Sequence, residues 1–255
     1  MIVETDILKF LALSYTFVLL VIIFDRKMEI GLWKELAVNS ILSLIQLIGI
    51  GAVLIFLLKF NSRLMTFSII IVMIFNASWI ALSRFKLKSY DKKKIFFLIF
   101  ITILFVTLTV IGPLLGVGFV TFKPTKIIPM CGIIVAGGMR ALSLSFNFYK
   151  ARLKDMEDFI VSLAAIGASD MKIFGIIFKE ILRNATIPMR DMMKAAGIVH
   201  IPGIMVGLLM AGTFPLKAAI IQFTVLSSML FEYALVPTMF MLLWIKIFGL
   251  KLETE

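Results

Sequence analysis

Seven apolar stretches dominate this chain and set what it can fold into. They run over Ile7–Phe24, Leu36–Leu58, Leu64–Ser83, Ile95–Gly116, Ile127–Tyr149, Ala195–Ala211 and Ala218–Phe248. A helix needs about 20 mostly apolar residues to cross a bilayer, and each stretch is close to that length or longer. Of the 255 residues, 61% are hydrophobic and only 16% are charged, against about 45–50% and 25% in soluble domains. Too few polar side chains remain to cover a water-soluble surface, and no polar stretch is long enough for a soluble domain. The sequence predicts an all-α polytopic transmembrane helical bundle of about seven spans, a single transmembrane domain over residues 1–255. The last stretch is overlong, so it must tilt, kink near Pro237 or project into the cytoplasm.

Charge sets the orientation. The net charge is +11, and Lys and Arg concentrate in cytoplasmic loops. With the N-terminus outside, the cytoplasmic side receives Arg26, Lys27, Lys34, Arg84, Lys86, Lys88, Lys92, Lys93 and Lys94. It also receives Lys150, Arg152, Lys154, Lys172, Lys179, Arg183, Arg190, Lys194, Lys246 and Lys251. The outer side keeps Lys59, Arg63, Lys123, Lys126 and Lys217. The reverse topology would invert this bias, so the expectation is N-terminus out and C-terminus in, in the cell inner (plasma) membrane. Aromatic residues are not interleaved with the basic ones, which argues against nucleic acid and for basic loops facing membrane lipid. The start carries Glu4 and Asp6 rather than a basic segment, so the first stretch reads as a retained helix, not a secretory signal. The single cysteine, Cys131, allows no intramolecular disulfide.

The segment of about 150–194 departs from this pattern. Leu153, Met156, Phe159, Ile160, Leu163 and Ile166 recur at helical spacing, with Lys154, Asp155, Glu157, Asp158 and Ser162 on the other face. Gly167 offers a left-handed helix stop. Ser169 is placed to cap a second helix, and Asp170 favours its positive end. That helix runs from about Asp170 until Pro188. The predicted element is a cytoplasmic helix–turn–helix elbow, of a kind that another protein can grip.

The machinery of an enzyme is missing. The sequence holds no Gly-rich loop followed by Lys-Ser/Thr, no HExxH, no paired-cysteine motif and no EF-hand loop. Carriers driven by ion gradients keep paired acids within the membrane. Here the mid-span polar residues are Gln46, Asn76, Gln222 and Arg140, and Glu232 is the one acid within the last stretch. An external source of energy is therefore expected. Gln46, Asn76 and Gln222 read as interhelical hydrogen-bonding groups or as lining of a polar path. Arg140 snorkels or faces water. Gly203, Gly207 and Ala211 recur every four residues as a small-residue packing stripe. Pro202 breaks the helix ahead of them, and broken helices at membrane depth line cavities or are buried in protein. Pro202 and Gly203 are therefore path candidates as well. Met130, Cys131 and His200 leave metal ligation open, because methionine is also a flexible gap filler.

An ordered set of short blocks carries a family resemblance across nearly the whole chain. Ile45-Gln46-Leu47 with Gly51 falls in the second stretch, Asn76-Ala77 with Trp79 and Ala81 in the third, and Ile128-Pro129 with Gly132 in the fifth. The densest block holds Gly167-Ala168-Ser169, Arg183, Ile187-Pro188, Asp191, Lys194, Gly197, Pro202-Gly203, Met205, Gly207, Ala211-Gly212, Pro215, Ala218 and Gln222. With this set the chain resembles the FetB-type ABC transporter permeases, which include a bacterial iron exporter subunit and plant relatives linked to aluminium tolerance. The resemblance breaks at Ala136-Gly137-Gly138-Met139, where the family has Gly-Asn-Ala-Met. It breaks again at Phe214, in place of an Asp, and at His200, in place of a Ser-like residue.

The resemblance implies an exporter permease working as a homodimer with a separate cytosolic ABC ATPase. ATP and Mg would be held by that partner, and this chain would bind no cofactor. Ala164, Ala165, Gly167, Ala168 and Ser169 would form the ATPase-coupling segment. Other readings are a membrane-embedded enzyme acting on lipid or peptide, and a non-transporting signal relay. The first is set against the scarcity of intramembrane acids and the single His200, the second against the lack of a large external domain.

Overall fold

The computed structural model describes residues 4–60, 62–85 and 90–250. Of the cations used to orient the chain, Lys86, Lys88 and Lys251 lie outside the described residues, as does the side chain of Lys59. The chain divides into two compact units, residues 1–61 and 62–255.

The first unit is a pair of helices, α1 (Glu4–Lys27) and α2 (Trp33–Phe60). A tight turn joins them, with positive φ at Glu29 and Gly31. Its anchor is Asp25, which is buried. The two carboxylate oxygens of Asp25 accept hydrogen bonds from the Leu32 amide (3.0 Å) and the Trp33 amide (2.8 Å). The first amides of a helix have no partner within the helix, and here a side chain from the preceding helix supplies one. The Arg26 guanidinium lies 4.2 Å above the Trp33 ring.

The second unit holds α3 (Arg63–Phe85), α4 (Lys92–Gly116), α5 (Pro124–Asp155), α6 (Glu157–Ala165), α7 (Asp170–Ala185), α8 (Ile187–Ala195), α9 (Gly203–Met210) and α10 (Pro215–Phe248). Asp91 caps α4, its carboxylate accepting from the Lys93 amide at 2.9 Å. Helix α5 is central and packs against α3, α4, α7 and α10. Phe85, at the end of α3, stacks on Phe146 of α5 with ring centroids 3.8 Å apart. Phe146 also meets Trp244 of α10 edge-on at 5.0 Å. Further along, the Tyr149 hydroxyl donates to the Leu250 carbonyl at 3.2 Å. Contacts between α5 and α10 therefore advance in the same order along both chains, so the two helices are parallel. Helix α3 ends beside Phe146 and Phe240, more than two turns before α5 and α10 finish, and Arg84, Lys92, Lys93, Lys94, Lys150, Arg152, Lys154 and Lys246 gather over this end of the three helices.

Among the described residues, α1, α2, α3, α4, α5 and α10 are long and apolar enough to cross a membrane. The all-α membrane bundle expected from sequence is the observed fold. The stretch Ala195–Ala211, expected as one span, is not one helix. It comprises the end of α8, a turn through Gly197 and His200, and α9 of eight residues. Pro202 supplies no amide and Gly197 takes φ +84°, so a continuous helix cannot form there. Because α5 and α10 are parallel, the chain must still return along their length between Asp155 and Pro215. That return is broken into short pieces. Helix α10 is continuous through Pro237 and, at 34 residues, extends about 50 Å, well beyond the roughly 30 Å hydrocarbon layer.

Helices α7 and α8 keep one rotational phase through their junction. Ile173, Ile177, Ile181, Ala185 and Met189 are buried at steps of four, and the Arg190 amide still bonds to the Thr186 carbonyl at 3.0 Å. Pro188 sits in the first turn of α8, where its missing amide costs little.

Candidate functional site

The elbow is formed by α6, residues 166–169 and α7. Helix α6 ends in a Schellman motif: the Gly167 amide bonds to the Ala164 carbonyl and the Ala168 amide to the Leu163 carbonyl, both at 3.0 Å. Gly167 takes φ +85° there, a conformation open to glycine at little cost. Ser169 occupies the cap position of α7 with extended backbone, but its hydroxyl makes no cap bond. Helix α6 buries none of its residues. Val161 is 62% exposed and Ile166 80% exposed, so an apolar knuckle stands clear of the bundle. Ala164, Ala165, Gly167, Ala168 and Ser169 thus come together on one exposed turn.

Two polar contacts fasten this knuckle to the long helices. Asp170 accepts a hydrogen bond from the Leu250 amide at 3.2 Å, tying the start of α7 to the end of α10. Arg152 of α5 pairs with Glu180 of α7. Sequence reasoning assigned Asp170 to its own helix end and gave Glu180 no role. Their partners are distant in sequence, and no local pattern signals them.

The broken return carries the second group of candidates. The Gln222 side-chain oxygen accepts from the Met205 amide at 3.1 Å. Gln222 is buried and Met205 lies in the first turn of α9, behind Pro202 and Gly203. A side chain of α10 thereby satisfies an amide that the helix break leaves open. Gly203, Gly207 and Ala211 are exposed, and a Cβ added at Gly203 or Gly207 would meet nothing within 4 Å. The small-residue stripe is an open face within the single chain. Asn76 is exposed on α3, and Gln46 is exposed on α2 in the other unit. Met130 and Cys131 are buried, whereas His200 is exposed. Among the described residues, no group of three or more His, Cys, Asp and Glu side chains could hold a metal ion.

Glu232 is the acid that the fold places deepest. It is 1% exposed, and neither carboxylate oxygen has a hydrogen-bond partner. It lies against α5 where Gly137 and Gly138 leave room: a Cβ at Gly137 would stand 2.6 Å from Oε2, and one at Gly138 2.7 Å from Oε1. The departure from the resembling pattern at Ala136–Met139 thus coincides with a seat that larger residues would block. Arg140, expected to snorkel, is exposed, and its guanidinium sits beside the Tyr233 hydroxyl.

Comparison with known proteins agrees with this architecture. Residues 8–248 match the model of an uncharacterised protein family, UPF0014. The chain is 30% identical over 208 residues to the probable iron export permease protein FetB of Escherichia coli (strain K12), covering 82% of this chain and 79% of that protein. It is 23% identical over 222 residues to the membrane protein YjkA of Bacillus subtilis (strain 168), covering 86% and 87%. It is 27% identical over 108 residues to the protein ALUMINUM SENSITIVE 3 of Arabidopsis thaliana, covering 42% and 40%. No solved structure matches. Six long apolar helices and a family match over nearly the whole length lead to one statement: the chain is a multi-pass membrane protein of the UPF0014 family.

Proposed function

We propose that this chain is the membrane-spanning permease subunit of an ABC transporter of the inner membrane, driven by a separate cytosolic ATPase that carries ATP and Mg. The observation that carries the reading is the exposed elbow. Its small-residue turn is free to seat in a cleft, and the helix that follows it, α7, is fastened to α5 and α10 through Arg152–Glu180 and Asp170–Leu250. Motion imposed on the knuckle would pass as rigid-body movement into the two longest helices, because packed elements shift as units. The cations gathered over this end of α3, α5 and α10 favour a cytoplasmic location for it.

The relative named as an iron export permease supports export, with a metal cation as cargo. A homodimer is the working form in this reading, with the open Gly203–Gly207–Ala211 face available for close helix contact. Gln46, Asn76, Pro202, Gly203 and Gln222 remain the candidates for the translocation path.

Co-expression of this chain with the ABC ATPases of its own organism, followed by purification through the permease, tests the proposal. One ATPase should co-purify, and its hydrolysis rate should change when the complex is placed in bilayers. If no ATPase associates and the isolated chain moves cargo without ATP, the proposal is wrong.

A further inference from the structure

One ionisable group lies deep in the bundle and serves neither the elbow nor the broken return. Glu232 is the eighteenth of the 34 residues of α10. The nearest charges along that helix, Lys217 and Lys246, are each about 20 Å away. Both carboxyl oxygens are buried without a hydrogen-bond partner. The Gly138 amide comes close, but α5 uses it in its own helical ladder. A carboxylate in such a place has lost its water and gained no partner, which is far costlier than burying the neutral acid.

The seat admits no larger cation. Each oxygen lies within 2.7 Å of the point where a Cβ would stand on Gly137 or Gly138, and Val236 closes the space at Gly138. A metal ion needs several ligands around it, whereas here the carboxyl group fills the hollow by itself. Among the described residues no group of three His, Cys, Asp and Glu side chains surrounds it. A proton is the one cation that fits.

Charge around the seat is sparse. Helix α10 packs against α4, α5, α7, α8 and α9. Helix α4 beyond Lys94 and helix α9 hold no titratable side chain. The charged residues of α7 and α8 are exposed, apart from Glu180, which pairs with Arg152. On α5, Cys131 and Tyr149 lie more than a turn away in either direction. Helix α5 also offers Arg140, two residues past Gly138. It is close enough to attract Glu232 but is held beside the Tyr233 hydroxyl.

We propose that Glu232 is a proton-binding site of the transport cycle: it carries a proton while α5 and α10 are closed on each other and releases it when they part. On release the O–H bond breaks, its electron pair stays on the carboxylate, and the proton passes to water entering the seam. Arg140 then compensates the new charge. Closure of the seam takes a proton back, so each cycle exchanges one. The resting proton stands on the packing alone; its release rests on the transporter reading above.

Infrared spectroscopy of the full chain in nanodiscs tests the resting site. At about pH 7 exposed carboxyls are ionised, so wild type should show one carboxylic-acid C=O stretch that shifts only slowly in D2O. Glu232→Gln, close in shape, should remove it without lowering the unfolding temperature. Absence of the band in wild type, or its survival in Glu232→Gln, overturns the proposal. The release is tested with the co-purified ATPase, made unable to hydrolyse ATP and held ATP-bound. The band should then fall at least several-fold in wild type and in Arg140→Lys, and should stay in Arg140→Gln. An unchanged band in the ATP-bound wild-type complex shows a fixed structural acid and overturns the proposal. If no ATPase associates, the transporter reading and the release fall together, and the resting band alone decides the proton site.

Discussion

Glu232 and Gly138 form a pair in which the glycine exists to admit the acid. The carboxylate of α10 occupies the space where a Cβ on α5 would stand, 2.7 Å from Oε1, with Val236 Cγ2 at 3.3 Å behind it. The tip of a flexible side chain can retreat, but Glu232 is 1% exposed and Val236 closes the space behind it, so overpacking here costs about 1–3 kcal/mol, against about 1 kcal/mol gained from alanine over glycine in a helix. Gly138→Ala should therefore lower thermal stability in detergent, and Glu232→Ala should relieve the clash. The double variant is expected to be more stable than the sum of the two single changes predicts, because residues in contact couple. Strict additivity in the unfolding data would mean the two side chains do not share that space.

The turn between α1 and α2 depends on Asp25. Its carboxylate satisfies both the Leu32 and Trp33 amides. Asp25→Ala should cost about 1–2 kcal/mol, as loss of a helix cap does, and Asp25→Asn should cost less because one acceptor survives. Hydrogen exchange at the Leu32 and Trp33 amides should rise in the alanine variant ahead of global unfolding.

Gln222 stands in for the helical bond that the break before α9 removes. Gln222→Leu leaves the Met205 amide unpartnered, at a cost of about 1–3 kcal/mol, and should loosen α9 without disturbing the α5–α10 contact. Faster exchange of the Met205 amide, with the Tyr149–Leu250 end still protected, is the expected pattern. Gln222→Glu, which keeps the acceptor, should restore protection at Met205.

At the elbow, folding and coupling should separate. Ile166 is 80% exposed, so Ile166→Asp should leave the unfolding temperature nearly unchanged while weakening association with the ATPase at least several-fold. Gly167→Val should act on the turn, since a side chain at φ +85° costs about 1–2 kcal/mol. Nothing lies within 4 Å of that Cβ position, so the damage should stay local. Binding and hydrolysis assays on the purified complex distinguish these outcomes.

Much of the architecture is legible in sequence, for a physical reason. The bilayer demands long apolar helices, so α1–α5 and α10 announce themselves by composition. The Gly167 stop is equally local, and the Schellman bonds form where the glycine predicts. The stretch Ala195–Ala211 misleads because hydropathy counts apolar residues and is blind to backbone continuity. Pro202 marked the break, but its consequence, a capped half-helix held by Gln222, needs the neighbouring helix to be in place. The seats of Asp170 and Glu232 are invisible for the same reason: each is made by a partner far away in the chain.

The most direct measurement is site-specific cross-linking from the elbow. Cys131 is 2% exposed and stays silent to polar reagents, so Ile166→Cys and, as a control, Val199→Cys each present one reactive thiol. With the co-expressed ATPase in membranes, a cross-linker should join position 166 to the ATPase and leave position 199, on the broken return, unjoined. Failure of position 166 to reach the ATPase, or its labelling from the periplasmic side of intact cells, would contradict the account.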